Sequence, residues 1–435
     1  MSDATQPAGA EARPQPSTFY RWAVLVIISL AMFGNYYIYD SINPVTDLMK
    51  AQLGFTDAVI GQLNTSYSIA AVLVLLVGGV LIDRLGTTRT TVLFGAVCTV
   101  SGVTMLLSTE PWVMIGSRFL LGVGAEPLIV AITAALAKWF KGKELSFAFG
   151  INLTIARLGQ VAVDWSPTWA KWAYDGWRTP LVLAAILGSL CTVGALAYWA
   201  LESRALKRYS LGEEGETDRL VVKDLFRFDA SFWYCVALCV TFYSAIFPFR
   251  TFSIKFFIES YGLTREMAGQ INSSLPVAAM VATPLFGLLV DRIGRRASLM
   301  FLGAFLLMPV YVIMAYHTLP LWIPIAMMGV AFSLVPAIMW PSVAYIVEQK
   351  RLGTGLAVMT LVQQVGVAGL NTVVGYANDL GKAGPENPAG YVPGMWLFSG
   401  LGFVALLFAF LLWKVEKGPK AHGLETIRVG AKAEG

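Results

Sequence analysis

The sequence predicts an all-α membrane protein in which twelve transmembrane helices form two pseudo-symmetric six-helix bundles. Composition is the first observation behind this prediction: 56% of the residues are hydrophobic and only 14% are charged, whereas soluble domains carry about 25% charge. The second is that the apolar residues form long uncharged blocks. The third is an internal repeat, in which Gly54–Gly86 aligns without a gap with Gly262–Gly294, 208 residues later, with thirteen identical positions.

The uncharged blocks are long enough to cross a lipid bilayer as helices. Trp22–Tyr39, Thr179–Leu201 and Trp396–Trp413 contain no charged residue, and a crossing helix needs roughly 20 mostly apolar residues. Twelve such spans are predicted, with the bilayer as their surroundings. Their approximate bounds are 21–43, 57–82, 90–108, 111–137, 145–168, 179–201, 231–256, 264–290, 297–316, 320–346, 353–377 and 392–414.

The longest polar stretch, Glu202–Phe228, divides the spans into two sets of six. The repeat offset equals the interval between the second and eighth spans, so both observations indicate the same division. Many secondary transporters consist of two related halves with a site between them. The predicted organisation is a disordered N-terminal tail 1–20, an N-terminal bundle 21–201, a central loop 202–228, a C-terminal bundle 229–414 and a C-terminal tail 415–435 that is also expected to be disordered.

Lysines and arginines predict the orientation of the chain in the membrane. Most of the 32 lie in the tails and loops on one side of the predicted spans, and the side rich in these residues is normally cytosolic. We therefore expect both termini to be cytosolic. The net charge of +5 reflects this bias, so no nucleic-acid partner is inferred. The basic residues assigned to the opposite loops are Lys50, Lys171, Arg178, Lys255, Arg265 and Lys382.

Neither a cofactor nor an enzymatic reaction is predicted. All four cysteines lie inside predicted spans, so the sequence indicates no disulfide framework and no metal site. It also contains no recognisable nucleophile–base set or phosphate-binding loop. Neither of the two histidines lies within a span, which favours transport without a buried histidine proton relay.

A short motif with the pattern G-x-L-x-D-R-x-G occurs in both halves, at Gly79–Gly86 and Gly287–Gly294. Its glycines allow a tight turn and close helix approach, and its acidic residue can pair with an arginine or cap a helix. One copy alone would be explained as a solvated turn with orientation charges. Two copies in register favour a conformational latch formed by Asp83, Arg84, Asp291 and Arg292.

The doubled motif resembles the signature loop of the major facilitator superfamily, as does Arg118–Gly124 in the fourth span. The Gly-Pro kink typical of drug/proton antiporters is missing from the fifth span, which argues against drug export. More specific strings resemble the lysosomal dipeptide uniporter branch, but the N-terminal tail lacks an acidic dileucine sorting signal. We therefore expect a prokaryotic-type homologue in the cell membrane. The strings are Tyr37–Asp40, Gly124–Leu128, Lys138–Glu144, Ile155–Gly159, Phe247–Phe249, Trp340–Pro341 and Leu352–Thr354.

Two opposite charges are predicted at similar depth near the middle of the membrane, Glu126 in the fourth span and Arg157 in the fifth. Ionisable residues at this depth are costly and usually functional. A carboxylate and a guanidinium that face one cavity match a zwitterion, and the guanidinium suits bidentate carboxylate binding. A structural ion pair between the two helices is the alternative. The family resemblance implies substrate binding at both positions.

Other charges within the spans are assigned conformational roles. Arg118 lies eight residues before Glu126, and the superfamily resemblance implies that it bonds to backbone or polar groups of neighbouring helices. Arg250 is predicted in the outer half of span seven, where Asp40 or Asp164 would pair with it as an outer gate. Snorkelling to the surface is the alternative for each of them.

Uncharged side chains would complete the substrate site. Amides and hydroxyls bind a peptide bond without reading side chains, and aromatic walls tolerate varied side chains. Ordinary packing is the alternative for each candidate. The candidates are Tyr67, Trp340, Gln363 and Asn371.

The predicted function is therefore the transport of small zwitterionic peptides, most simply dipeptides, by alternating access and as a uniporter. A carrier of organic anions and a proton-coupled solute carrier are alternatives within transporters, and a non-transporting sensor or assembly subunit is the alternative from another class. No accessory subunit is indicated. At the repeat offset Glu126 aligns with Leu334 and Arg157 with Val365, so the charges expected to bind substrate are confined to the N-terminal half.

Overall fold

The computed structural model describes residues 14–75, 84–140, 144–211 and 222–428, and it is built from α-helices. Short helices, among them Thr46–Leu53, join some of the long ones. The long helices are α1 Thr18–Asp40, α2 Asp57–Leu75, α3 Thr87–Thr104, α4 Pro111–Phe140, α5 Leu145–Asp164, α6 Arg178–Arg208, α7 Ala230–Tyr261, α8 Arg265–Ile293, α9 Arg296–Ala315, α10 Trp322–Ile346, α11 Leu352–Leu380 and α12 Val392–Glu416.

Eleven helices in the described part of the chain are long and apolar enough to cross a membrane. Helix α3 is not among them because its threonines and Arg89 lower its hydropathy, but it packs lengthwise against α4 and α6. It therefore completes the predicted set of twelve, with α1–α6 in one half and α7–α12 in the other. Because consecutive helices are antiparallel, α1 begins and α12 ends on one face, which we call the terminus side. The opposite face is called the far side.

Exposed aromatic side chains mark both ends of the bundle, as expected for a protein that spans a bilayer. Phe147 and Trp233 are exposed on the terminus side. On the far side the exposed tryptophans include Trp112, Trp172 and Trp322. The aromatic residues thus lie where the lipid headgroups would meet the helices.

The repeat has a direct structural explanation in its turn glycines. Gly54 and Gly262 precede α2 and α8 with φ of 69° and 64°, and Gly86 and Gly294 end the motif with φ of 77° and 72°. These backbone angles favour glycine because it has no side chain to clash. The repeat therefore preserves the same turn glycines in both halves.

The two halves approach most closely toward the far side, through glycines on α2, α8 and α11. A Cβ atom on Gly61 would lie 2.2 Å from the carbonyl oxygen of Asn371, and one on Gly269 would lie 2.1 Å from that of Asp164. Gly375 in the same way faces the carbonyl oxygen of Asp57. Since Gly61 and Gly269 are equivalent positions of the repeat, the halves meet through two related contacts, α2 with α11 and α5 with α8.

Segment ends differ from the sequence prediction at the central loop and the C-terminal tail. Helix α6 continues to Arg208 and α7 begins at Ala230, which shortens the loop. The described part of the tail is not disordered as expected, since residues 417–428 fold back onto the turn between α8 and α9. There Glu425 accepts hydrogen bonds from the backbone N–H and hydroxyl of Ser298, at 2.7 Å each. Leu424 is fully buried.

Candidate functional site

A cavity of about 320 Å³ lies between the two halves, within the range of about 300–1,000 Å³ that is typical of small-molecule sites. Helices of both halves contribute to its wall. It lies on the terminus side of the glycine contacts that join the halves. The lining residues are Asn35, Tyr36, Tyr39, Tyr67, Glu126, Ile129, Leu153, Arg157, Gln160, Tyr243, Phe247, Phe332, Pro336, Trp340, Thr360, Gln363, Gln364 and Val367.

Glu126 lies near the middle of α4 and faces this cavity. Its Oε1 accepts hydrogen bonds from the Tyr67 hydroxyl and from Nε2 of Gln364, each at 3.1 Å. Oε2 accepts no hydrogen bond from the described residues. The carboxylate is therefore held by neutral donors on one oxygen, and its other oxygen is available to a ligand.

Arg157 on α5 reaches the same cavity. The central carbon of its guanidinium lies 5.7 Å from the centre of the Phe332 ring, across the interface between the halves. This is within the distance of a cation–π contact. Within the described chain no carboxylate lies within 4 Å of Arg157, so the predicted alternative of a Glu126–Arg157 ion pair is not formed.

The other predicted binding residues fall into two groups. Tyr67, Trp340 and Gln363 line the cavity, and Nε1 of Trp340 donates a hydrogen bond to the Tyr243 hydroxyl at 3.0 Å. Asn371 lies outside the lining, because it is on a more distant turn of α11 and is buried between the halves. Its side chain accepts a hydrogen bond from the Thr251 hydroxyl at 3.0 Å.

Sequence reasoning missed several lining residues that helical periodicity would have found. Gln160 follows Arg157 by three residues, so both lie on one face of α5. On α11 the lining positions are Thr360, Gln363, Gln364 and Val367, which is the spacing of a single helix face. The sequence prediction included Gln363 but not Gln364, although both lie on the cavity face of α11.

A buried charged cluster lies beside the cavity. Nη2 of Arg250 lies 3.0 Å from Oδ2 of Asp164 and 3.2 Å from Oδ2 of Asp40, and only 2% of Arg250 is exposed. Gln160 connects this cluster to the cavity, because its Nε2 donates to Oδ2 of Asp40 at 2.8 Å. The sequence predicted one acidic partner for Arg250, whereas the structure provides two, both from the other half.

Arg118 has the kind of contacts expected from the superfamily pattern. It donates to the carbonyl oxygens of Ile38 and Tyr39, at 3.1 and 2.9 Å, and to the side-chain oxygen of Asn64. Asn64 in turn donates to the hydroxyl of Thr251 on α7, at 2.8 Å. The guanidinium thus ties α1, α2 and α4 together and touches the other half through Asn64.

A second charged cluster closes the far side, and the sequence prediction placed one of its members wrongly. The prediction counts Lys255, at the end of the predicted span 231–256, with the opposite loops, but α7 continues to Tyr261 and the residue is fully buried. Its Nζ lies 2.5 Å from Oδ1 of Asp57, in the other half. Lys50 and Glu259 flank this pair, and the carboxylate of Asp379 accepts from the first two backbone N–H groups of α2.

The motif residues are only partly described. Asp83 lies outside the described residues, and Arg84 and Arg292 are exposed. Asp291 pairs with Arg296 of its own half at 2.9 Å. Arg296 also donates to the carbonyl oxygen of Ile427 in the C-terminal tail, at 2.6 Å. The second copy of the motif is therefore joined to the tail.

Comparison with known proteins identifies the family. The sequence matches the profile of the Major Facilitator Superfamily over residues 28–368 and 251–431. The chain belongs to this superfamily. Members of the superfamily are transporters, so this protein is a multi-pass membrane transporter and not an enzyme, as the sequence motifs predicted.

The superfamily relatives that resemble the chain include proteins named lysosomal dipeptide transporter MFSD1. The Danio rerio protein is 31% identical over 378 residues, covering 83% of this chain and 81% of its own. The Homo sapiens protein is 29% identical, covering 87% and 85%. This confirms the predicted resemblance to the dipeptide transporter branch.

Among solved structures, the inward-facing, occupied form of a bacterial homologue of the human lysosomal transporter Spinster has the same fold. Its TM-score is 0.70 at 15% identity, and the alignment covers 92% of this chain and 98% of the other. This likeness confirms the predicted arrangement of two six-helix bundles.

Proposed function

We propose that the protein carries dipeptides across the membrane by alternating access, as a uniporter. The observation that carries the proposal is the pair of charges in the cavity. Glu126 and Arg157 are the only charged residues among the described lining residues, they do not bond to each other, and each is available to a ligand. A dipeptide carries one ammonium for Glu126 and one carboxylate for Arg157.

The remaining lining fits a peptide better than an organic anion. The amides of Gln363 and Gln160 and the hydroxyl of Thr360 offer donors and acceptors to a peptide bond. Aromatic rings form much of the wall and accommodate side chains of different size. An organic anion would gain from Arg157 but would be repelled by Glu126. The names of the MFSD1 relatives support the same substrate class.

Alternating access would require the far-side contacts to break and the terminus side to close. We assign the gate on the far side to Arg250 with Asp40 and Asp164. The hydrogen-bond network of Arg118 supports this gate. In the described residues, the hydrogen bonds between the two bundles lie at the depth of Glu126 or nearer the far side. The motif residues Asp83, Arg84, Asp291 and Arg292 are proposed to latch the terminus side when it closes.

Uniport is proposed because the buried carboxylates near the cavity already have donors. Asp40 forms an ion pair with Arg250 and accepts from Gln160, and Asp164 accepts from Arg250 and Asn272. In this conformation neither carboxylate needs a proton in order to be buried, so we propose that transport requires no proton as a co-substrate.

One uptake assay tests the substrate, the site and the uniport mode. Purified protein in liposomes, with no pH gradient and no membrane potential, is expected to equilibrate an added dipeptide. Glu126→Gln and Arg157→Ala should each reduce uptake at least a hundredfold, because each removes a charge-assisted contact. Glu386→Gln, at an exposed loop position, should leave uptake unchanged. Uptake only with an imposed proton gradient would refute uniport, and full activity of both site variants would refute the site.

A further inference from the structure

Gln364 is a hydrogen-bond link between the proposed ammonium-binding residue and the opposite half of the protein. Glu126 is on α4, and the two donors to its Oε1 come from different halves. Tyr67 is on α2 of the same half, whereas Gln364 is on α11 of the C-terminal half. The carboxylate is thus fixed from both sides of the cavity.

A neutral donor at this position has a physical advantage over a charged one. A carboxylate with few partners in a low-dielectric environment costs free energy, and hydrogen bonds to a charged group contribute about 1.5–3 kcal/mol each. A lysine or arginine in place of Gln364 would satisfy Glu126 but would also compete with the substrate's ammonium. The amide holds Oε1 without neutralising the carboxylate, so Oε2 keeps its attraction for a cation.

We infer that Gln364 is a positioning residue for dipeptide binding: its carboxamide orients the Glu126 carboxylate toward the substrate's ammonium and ties the occupied site to α11. The inference rests on the proposed function and adds a residue of the C-terminal half to it. Tyr67 alone cannot provide this link, because α2 and α4 belong to the same half. The bond therefore couples the substrate site to a helix that must move when the far side opens.

The next residue of α11 provides a matched control. Val365 is 52% exposed and lies outside the cavity lining. Gln364→Leu should raise the KM for dipeptide about tenfold, which corresponds to the loss of one hydrogen bond to a charged group. Val365→Leu should change KM less than threefold.

The pH dependence of dipeptide uptake distinguishes a positioning role of Gln364 from a packing role. Gln364→Glu places a second carboxyl group against Glu126, and two carboxylates that share a site tend to hold one proton between them. With that proton the introduced carboxyl donates as the amide does, and without it the two groups repel. Dipeptide uptake by this variant should therefore rise as the pH falls, while the wild-type protein shows no such rise over the same range.

The closing experiment measures KM, the maximal rate and the pH profile for all of these variants together with Glu126→Gln. A pH-dependent recovery confined to Gln364→Glu supports the inference, and the recovery itself shows that the variant is folded. An inactive Glu126→Gln protein with a Gln364→Glu variant that shows no recovery at low pH would overturn the inference alone. Full dipeptide uptake by Glu126→Gln would overturn the proposed function and the inference with it.

Discussion

Arg157 shows how one residue combines two requirements of the site. Its guanidinium lies over the Phe332 ring of the opposite half while its donors remain available to a carboxylate. A planar guanidinium can stack and bind bidentately at the same time, whereas an ammonium group does neither as well. Charge alone is therefore not sufficient at this position.

Arg157→Lys is expected to raise the KM for dipeptides about 10- to 100-fold while the protein remains folded, because the bidentate contact and the stacking are lost. Concentration-dependent uptake into liposomes measures the change. Phe332→Leu, which removes the ring but leaves the arginine, should produce a smaller increase in the same direction. A KM for Arg157→Lys within twofold of the wild-type value would contradict the proposed bidentate contact.

The sequence revealed the two charged cavity residues and the neutral residues Tyr67, Trp340 and Gln363, but not Gln160 or Gln364. Glu126 and Arg157 stand out because charges inside a span are rare. The repeat offset was a poor guide in the C-terminal half: Val365, aligned with Arg157, is 52% exposed, and the cavity face of α11 includes Gln364 instead. Leu334, aligned with Glu126, is buried outside the lining. In these helices, residues that align at the repeat offset do not lie on equivalent helix faces.

At the level of elements, the contact between α2 and α11 depends on missing side chains. Gly61 and Gly375 allow the two backbones to touch, and the Asp379 carboxylate accepts hydrogen bonds from the backbone N–H groups of Asp57 and Ala58, at 2.8 Å each. An acidic group at a helix amino terminus satisfies free donors and interacts favourably with the helix dipole. Helix α11 thus caps α2 across the interface between the halves.

Gly61→Ala is expected to prevent full closure of the far side, because the new methyl group would lie 2.2 Å from the Asn371 carbonyl oxygen. Transport should fall at least tenfold, as measured by dipeptide uptake. A cysteine introduced at Thr372, beside this contact, should react faster with a membrane-impermeant thiol reagent. Gly150→Ala on α5 is the matched control, since no heavy atom of another helix in the described residues lies within 4 Å of its new Cβ. Equal activity of the two variants would show that the close contact is dispensable.

The repeat predicted the positions of Gly61 and Gly269 but not their partners. Identical residues such as Gly61 and Gly269 are visible in the alignment, but each faces a helix of the other half that has no sequence relation to it. Similarly, hydropathy predicted α3 only approximately, because it counts the threonines of this helix as polar. Within the helix their hydroxyls donate to backbone carbonyls, as Thr91 does to Thr87.

At the scale of the whole molecule, the far-side charged cluster contains ions from both halves. Asp57 and Lys255 lie on opposite halves, so they must separate when the far side opens. Lys50 lies 3.3 Å from Asp57 on the same half, and Glu259 lies 3.9 Å from Lys255 on the same helix. Each separated ion thus retains a counter-ion, which avoids the several kcal/mol cost of leaving a buried charge without a partner.

Lys50→Met and Glu259→Gln are each expected to slow transport several-fold with little change in KM, because one separated ion then lacks a partner. Initial rates of uptake and exchange at saturating dipeptide measure the effect. The control is the pair Lys171–Glu266, which also connects the halves on the far side, at 2.7 Å, but has Lys171 80% exposed. Lys171→Met should have little effect, since exposed ion pairs contribute about 0–1 kcal/mol. Equal rates in all these variants would argue against an exchange of partners.

The predictions for Lys255 and for the C-terminal tail were wrong for the same physical reason. Lys255 and the C-terminal tail are polar, and polar residues near the end of a span are normally solvated. Lys255 is buried, and the described part of the tail is folded, only because a distant segment supplies the partners: Asp57 for Lys255, and the turn between α8 and α9 for the tail. Composition and hydropathy describe a segment by itself and so do not reveal such partners.

The folded tail also makes the end of the chain useful as a reporter. His422 lies 2.9 Å from Asp229 at the start of α7, and Glu425 is bonded to Ser298 on α9, so the tail is attached to two separate helices of one half. A spectroscopic probe at an exposed tail position such as Lys420 would therefore follow the C-terminal bundle as a rigid body. Its distance to a probe on the N-terminal bundle would record each transport cycle directly.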